Sequence, residues 1–275
     1  MRSLGSARPI SRGGVVVRSV VRVSGLTQGY GRDPVISGLD LELGPGITGL
    51  LGPNGAGKST LLRTLATVTP PLEGEVHVLG EHVRSERTAR AARREIGYLP
   101  QDFGYFGHYS VHDFVRYCAW LREVPSARIA EATRTALRRV GLAERSGVRM
   151  RTLSGGMIRR AGIAAAVVGS PALVLLDEPT VGLDPAQRLE FRELVRSLDG
   201  SAVVLSTHLV EDVAAVCERV LVLDGGSVRF TGTPAELAER AVPEAPGDTE
   251  LERGYMAVLG AAPGAMGTTA TGATA

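Results

Sequence analysis

The sequence predicts an α/β protein with a mostly parallel core sheet, an antiparallel β subdomain near the N-terminus and an inserted helical subdomain. Three observations carry that reading. Short apolar runs recur at residues 47–51, 173–176, 202–205 and 220–223, the pattern of strands buried on both faces. Helical patterns at 185–198 and 210–217 separate the last three runs, and strand alternating with helix indicates parallel strands joined by crossover helices. Between about residues 101 and 169 the strand signals vanish.

Each element follows in order. Residues 1–19 mix Ser, Arg, Gly and Pro and are expected to form a flexible leader. The main unit is expected over 20–240, with the helical subdomain inserted at about 101–169. Residues 20–23 are expected to form a short strand, and Leu39-Asp40-Leu41-Glu42-Leu43 alternates with period two. Residues 47–51 run straight into a glycine-rich loop, after which Leu61, Leu62 and Leu65 stand at helical spacing. An alternating strand is expected at 74–79 and a basic, solvated helix at 84–94. Ile129, Thr133, Ala136, Leu137 and Val140 mark an amphipathic helix ending near Gly141. Within a short C-terminal extension, 241–259, Leu251, Tyr255, Met256 and Leu259 predict a small helix docked on the core. Residues 260–275 are Gly, Ala and Thr apart from Pro263 and Met266, too poor in bulky side chains to fold alone, and are expected to be disordered.

Composition narrows the function. The 275 residues are 44% apolar and 22% charged with a net charge of +2, which supplies a core and argues against a nucleic-acid partner held by a basic face. No stretch offers the roughly 20 apolar residues of a bilayer span; residues 161–176 are too short and are broken by Ser170-Pro171. The N-terminus lacks the apolar region and cleavage site of a secretory signal. Cys118 and Cys217 have neither disulfide nor metal spacing. A soluble protein of a reducing compartment is expected. Of 31 basic residues only Lys58 is Lys, and Asn54 is the sole Asn. A GC-rich coding bias accounts for the arginines. The one lysine is kept where a compact point charge fits and a planar guanidinium does not.

Both singletons fall within Gly52-Pro53-Asn54-Gly55-Ala56-Gly57-Lys58-Ser59, followed by Thr60. This matches G-x-x-x-x-G-K-[ST], the P-loop: glycines turn backbone N–H groups inward around phosphate oxygens, and the following helix presents its positive end to them. Lys58 is expected on the β- and γ-phosphates and Ser59 on Mg²⁺. Leu173-Val174-Leu175-Leu176-Asp177-Glu178 is a buried strand tipped by two acids. Beside a P-loop, Asp177 is suited to hold Mg²⁺ through water and Glu178 to polarise the attacking water. These two features describe many Mg²⁺-dependent nucleotidases on a P-loop NTPase core. Read alone, His208 is an ordinary surface or core residue, and Tyr30, between Gly29 and Gly31, is free to pack on the sheet. His77, His82, His108 and His112 show no ligand spacing and receive no role.

Leu153-Ser154-Gly155-Gly156-Met157, just before the acidic strand, closely resembles the signature motif of ABC ATPases; Met157 departs from the Gln many members carry. Over about residues 20–237 the chain resembles that family. The resemblance implies that Tyr30 stacks on adenine. It makes Gln101 the glutamine that senses the γ-phosphate, contacts the metal and faces a membrane partner. Gly182-Leu183-Asp184 corresponds to the D-loop and His208 to a histidine on the γ-phosphate. It also implies two copies packed head to tail, each ATP held between the P-loop of one and Ser154, Gly155 and Gly156 of the other. The expected partners are that second copy, or a paired homologue, and separate transmembrane permease subunits, at the cytoplasmic face of the membrane. The sequence around 96–109 and 205–208 resembles export-class ATPases of the drug or antibiotic type. The alternative is an ABC ATPase of translation or DNA repair, which one uninterrupted cassette disfavours. Phe103, Tyr105, Phe106 and Tyr109 are expected at the coupling surface, with packing of the helical subdomain as the competing reading.

Overall fold

The computed structural model describes residues 19–30, 33–198 and 200–260. The leader expected at 1–19 and the tail expected at 260–275 fall almost wholly outside the described residues. The strands and helices in chain order are β1 (Val21–Tyr30), β2 (Asp33–Leu43), β3 (Ile47–Leu51), α1 (Lys58–Leu65), β4 (Glu73–Val78), β5 (Glu81–His82), α2 (Glu86–Glu95), β6 (Ile96–Leu99), α3 (Val111–Leu121), α4 (Ser126–Arg139), α5 (Gly155–Val167), β7 (Leu173–Asp177), α6 (Pro185–Arg196), β8 (Ala202–Thr207), α7 (Val210–Val216), β9 (Arg219–Asp224), β10 (Ser227–Gly232), α8 (Pro234–Ala238) and α9 (Glu250–Val258).

Two sheets form. The antiparallel one has order β2-β1-β4-β5; the other has order β10-β9-β3-β8-β7-β6 and is parallel except for β10. The parallel sheet separates two cores, because successive strand side chains point to opposite faces. Val174 and Leu176 join Leu137, Ile163, Phe191 and Val213 of the helical layer. Leu173 and Leu175 face Val23, Ile36 and Leu62, beneath the antiparallel sheet and α1.

The differences from expectation have local causes. β1 runs to Tyr30 rather than stopping at 23, because an irregularity between Val23 and Leu26 resets its alternation. Gly25, at φ 59°, sits inside that shift, and bulges of this kind hide a strand from a period-two count. The sequence reading passed over α3, whose inward face is Val111, Phe114, Val115 and Ala119 and whose N-cap is Ser110, accepting from Asp113 N–H at 3.0 Å. The helix at the C-terminal extension docks as expected: Tyr255 is buried, and a Cβ at Gly254 would lie 1.9 Å from the Leu237 carbonyl. The aromatics of 103–109 differ in burial. Phe103 packs on the helical core beside Phe114, with ring centroids 6.0 Å apart, while Tyr105 and Phe106 are 37% and 48% exposed.

Topology positions the chemistry. β8 lies between β3 and β7, in parallel register that sets Leu51 beside Thr207 and Asp177 beside Ser206. The carboxyl ends of all three strands therefore open on one crevice, where ligands bind in open α/β sheets.

Candidate functional site

The crevice is a cleft of about 470 Å³ lined by Tyr30, Val35, Pro53, Asn54, Gly55, Ala56, Gly57, Lys58, Ser59, Thr60, Gln101, Glu178, Val181 and His208. The loop feeding it depends on glycine. A Cβ on Gly52 would stand 2.2 Å from the Leu223 carbonyl, so the chain leaves β3 here only without a side chain. Gly55 and Gly57 hold φ of 83° and 101°, open to glycine at little cost. Gly57 is the N-cap of α1, no side chain caps it, and no acid sits in the first turn. The first N–H groups of α1 thus face the loop as an anion-binding end.

Lys58 is only 7% exposed. Its Nζ donates to the carbonyls of Gly52 (2.6 Å) and Pro53 (3.1 Å) and stands 3.9 Å from Glu178 Oε1. Burial lowers its pKa, and the charges of Glu178 and Asp177 partly oppose that. The strand β7 ends at Asp177, and Glu178 turns away from it at φ 49°, a left-handed conformation costly for a residue with a side chain. Its N–H donates to the Ser206 carbonyl (3.2 Å) and Ser206 Oγ (3.0 Å), and Oε2 lies 2.9 Å from His208 Nδ1. The turn after it is held by Thr180, whose hydroxyl donates to Asp212 Oδ2 at 2.8 Å, while Oδ1 accepts from Arg192.

Asp177 is fully buried. Its Oδ1 accepts from Ser206 Oγ at 2.6 Å, whereas Oδ2 is buried with no hydrogen-bond partner among the described residues. An orphaned carboxylate oxygen beside a phosphate loop calls for a cation. The oxygen donors of Ser59, Gln101 and Asp177 suit a hard divalent ion such as Mg²⁺.

Tyr30 does not pack into the sheet: it is 59% exposed, and its hydroxyl accepts from Arg63 Nη1 at 2.6 Å. Gln101 lies on the cleft wall. The signature residues do not line this cleft. Ser154 caps α5, accepting from Met157 N–H at 3.4 Å. Gly155 has open space where a Cβ would be, and Gly156 meets only the flexible end of Gln187. Ser154 and Gly155 are exposed.

The sequence reading missed Ser206, Arg63 and Arg159 as residues that hold the site. Ser206 acts through the β7–β8 register, which no single segment discloses. The four remaining histidines lie outside the cleft. His77 and His82 face each other across β4 and β5 with rings stacked at 4.5 Å, and Glu75 stands 3.5 Å from His77 Nε2.

Comparison with known proteins gives the family. The sequence profile of the family described as "ABC transporter" matches residues 36–181. The chain belongs to the ABC transporter family. It is 36% identical to the Nod factor export ATP-binding protein I of Cupriavidus metallidurans over 82% of this chain and 74% of that one. It is 33% identical to the linearmycin resistance ATP-binding protein LnrL of Bacillus subtilis, over 80% and 71%. Among solved structures, cbiO1 from Clostridium perfringens, part of the ABC transporter complex cbiONQ, superposes with a TM-score of 0.71 at 29% identity, covering 80% of this chain and 90% of that one. As an ABC ATPase the chain binds ATP. No helix of the described residues is long and apolar enough to cross a membrane.

Proposed function

We propose that this chain is the MgATP-hydrolysing subunit of an exporter, working at the cytoplasmic face of a membrane through separate permease subunits. The observation that carries the reading is the meeting of Lys58, Glu178 and His208 in one cleft at the ends of β3, β7 and β8, with the signature end of α5 left outside it. The ATPase unit spans about 20–240, with its helical subdomain at about 101–169 and the short extension at 241–259. The export assignment follows the names of the two relatives above.

In this reading the first turn of α1 and the loop Gly52 to Thr60 bind the phosphates, Lys58 bridges the β- and γ-phosphates, and Tyr30 stacks on adenine. Ser59, Asp177 and Gln101 would hold Mg²⁺, and the ion would neutralise charge developing on the phosphate oxygens. Glu178 takes a proton from the water that attacks the γ-phosphorus; the bond to the β-phosphate bridging oxygen breaks and ADP leaves. His208 orients Glu178 and reaches the γ-phosphate. Ser154, Gly155 and Gly156 complete the site of a second copy, since no residue of that motif reaches the cleft of its own chain.

The test is reconstitution with the permease encoded beside this chain, a protein expected to carry about six spans of some 20 apolar residues each. Phosphate release in proteoliposomes should rise on assembly and drive outward movement of a cargo. Full turnover that is indifferent to any membrane partner would favour a soluble role.

A further inference from the structure

Arg159 lies on α5, five residues past the Ser154 cap, and is 7% exposed. Its guanidinium carries five N–H donors in a rigid fork, and all five end on main-chain carbonyls. Nε donates to Pro179 (3.2 Å), Nη1 to Pro100 (3.2 Å) and Gln101 (2.7 Å), and Nη2 to Asp177 and Glu178 (2.5 Å each). Among the described residues no carboxylate lies within ion-pair distance of it, since it is absent from every such pair in the structure. Burial lowers its pKa, opposed by the charges of Asp177, Asp102 and Glu178.

The five acceptors belong to two segments, the exits of β6 and β7, which are neighbours in the sheet. One exit carries Gln101, the other Asp177 and the left-handed Glu178. The side chain that joins them belongs to the helix that presents Ser154 and Gly155. We propose that Arg159 is a positioning residue for hydrolysis: it fixes the backbone under Glu178 and locks that turn, the Gln101 loop and the signature helix into one rigid unit. A displacement of the Gln101 loop or of α5 then reaches the Glu178 carboxylate through one side chain rather than through the sheet. The proposal rests on the assignment of Glu178 as the residue that activates water.

A lysine at this position keeps the charge but offers three donors from a single nitrogen, too few and too close together to span both segments. The experiment compares Arg159→Lys, Arg159→Gln and Glu178→Gln, each alone, and Arg159→Lys combined with Glu178→Gln. Dissociation of a fluorescent ATP analogue, and steady-state kcat and KM per nucleotide-binding chain, are measured. The expected result is a Kd within about threefold of wild type and a kcat for Arg159→Lys lowered on the order of 10- to 100-fold, the scale of an ångström-level misplacement. Because Arg159 acts through Glu178, adding Arg159→Lys to Glu178→Gln should lower residual turnover no further. A merely structural role would reduce the number of binding-competent chains and leave kcat per chain unchanged, which overturns the proposal. Additive losses in the double variant overturn it too, as does failure of both Arg159 variants to fold, which assigns the residue to the fold alone. Wild-type turnover in Glu178→Gln defeats the assignment of Glu178 itself. Turnover lost in Glu178→Gln but kept in Arg159→Lys defeats only the role of Arg159.

Discussion

The strand-tip cleft and the signature end of α5 both sit at a helix start, where backbone N–H groups are left free, yet they differ in completeness. Lys58 and Glu178 line the cleft, Asp177 lies buried behind its wall, and all three are already connected to one another or to Ser206 and His208. At α5 the cap is a solvent-exposed Ser154 followed by an exposed glycine with nothing near it. Burying a lysine and two acids is costly unless their partners are fixed, so the cleft has the marks of a site assembled within one chain. An open helix end with no wall opposite has the marks of half a site. The difference fits the proposed arrangement, in which the chemistry is held in cis and the signature of a second copy completes the site.

The largest expected effect tests the cleft. Glu178→Gln should lower phosphate release by about 10²- to 10⁴-fold, the range for a lost general base, while ATP binding persists and the closed dimer accumulates on size-exclusion chromatography in MgATP. Asp177→Asn should instead lose the Mg²⁺ dependence of binding and with it the closed state. Unchanged turnover in Glu178→Gln would leave His208 as the next candidate.

Next in size is the lysine. Lys58→Ala removes a charge-assisted contact worth roughly 1.5–3 kcal/mol, so the ATP Kd of the isolated chain should rise by about 10- to 100-fold by titration. Lys58→Arg should also be impaired, because the fork is bulkier than the ammonium in a loop that holds Nζ within 2.6 Å of the Gly52 carbonyl. An arginine variant with normal affinity would show that any cation suffices there.

A pair of glycines sharpens the contrast on stability. Gly52→Ala forces a Cβ against the Leu223 carbonyl at 2.2 Å and should cost about 1–3 kcal/mol in urea unfolding, the scale of an overpacked site. Gly155→Ala meets open space and should change stability by no more than about 0.5 kcal/mol. Equal costs would mean that the signature end is more tightly built than its surroundings allow.

The smallest effect belongs to the exposed aromatics. Tyr105→Ala with Phe106→Ala should leave basal ATPase within about twofold, as surface changes do, and lower only its stimulation by the permease. Lost folding would return both residues to the packing role that Phe103 already fills.

Legibility followed the same division. The P-loop, the acid-tipped strand and the signature are contiguous stretches whose chemistry is complete in a few residues, so they were readable before any fold was known. Ser206 and Arg159 were not, because their value arises from contacts across 28 and 59 residues of chain, Glu178 N–H to Ser206 Oγ and Arg159 to the Pro100 carbonyl. The length of β1 was obscured by its bulge at Gly25, and α3 by exposed Trp120 and Leu121, which blur its apolar stripe. Sequence periodicity reports burial of one face; it is silent on which strand lies beside which.

The most direct test of a site shared between two chains uses two inactive variants. Lys58→Ala disables a P-loop and leaves its signature sound; Ser154→Arg does the reverse, its cation intruding on the nucleotide of the neighbour. In a two-fold dimer formed from an equal mixture, each mixed pair holds one site with both defects and one site with neither. Phosphate release from the mixture should therefore recover to about a quarter of wild type by random pairing, although each variant alone is silent. A mixture that stays as inactive as its components would contradict the shared site and place the signature's role within its own chain.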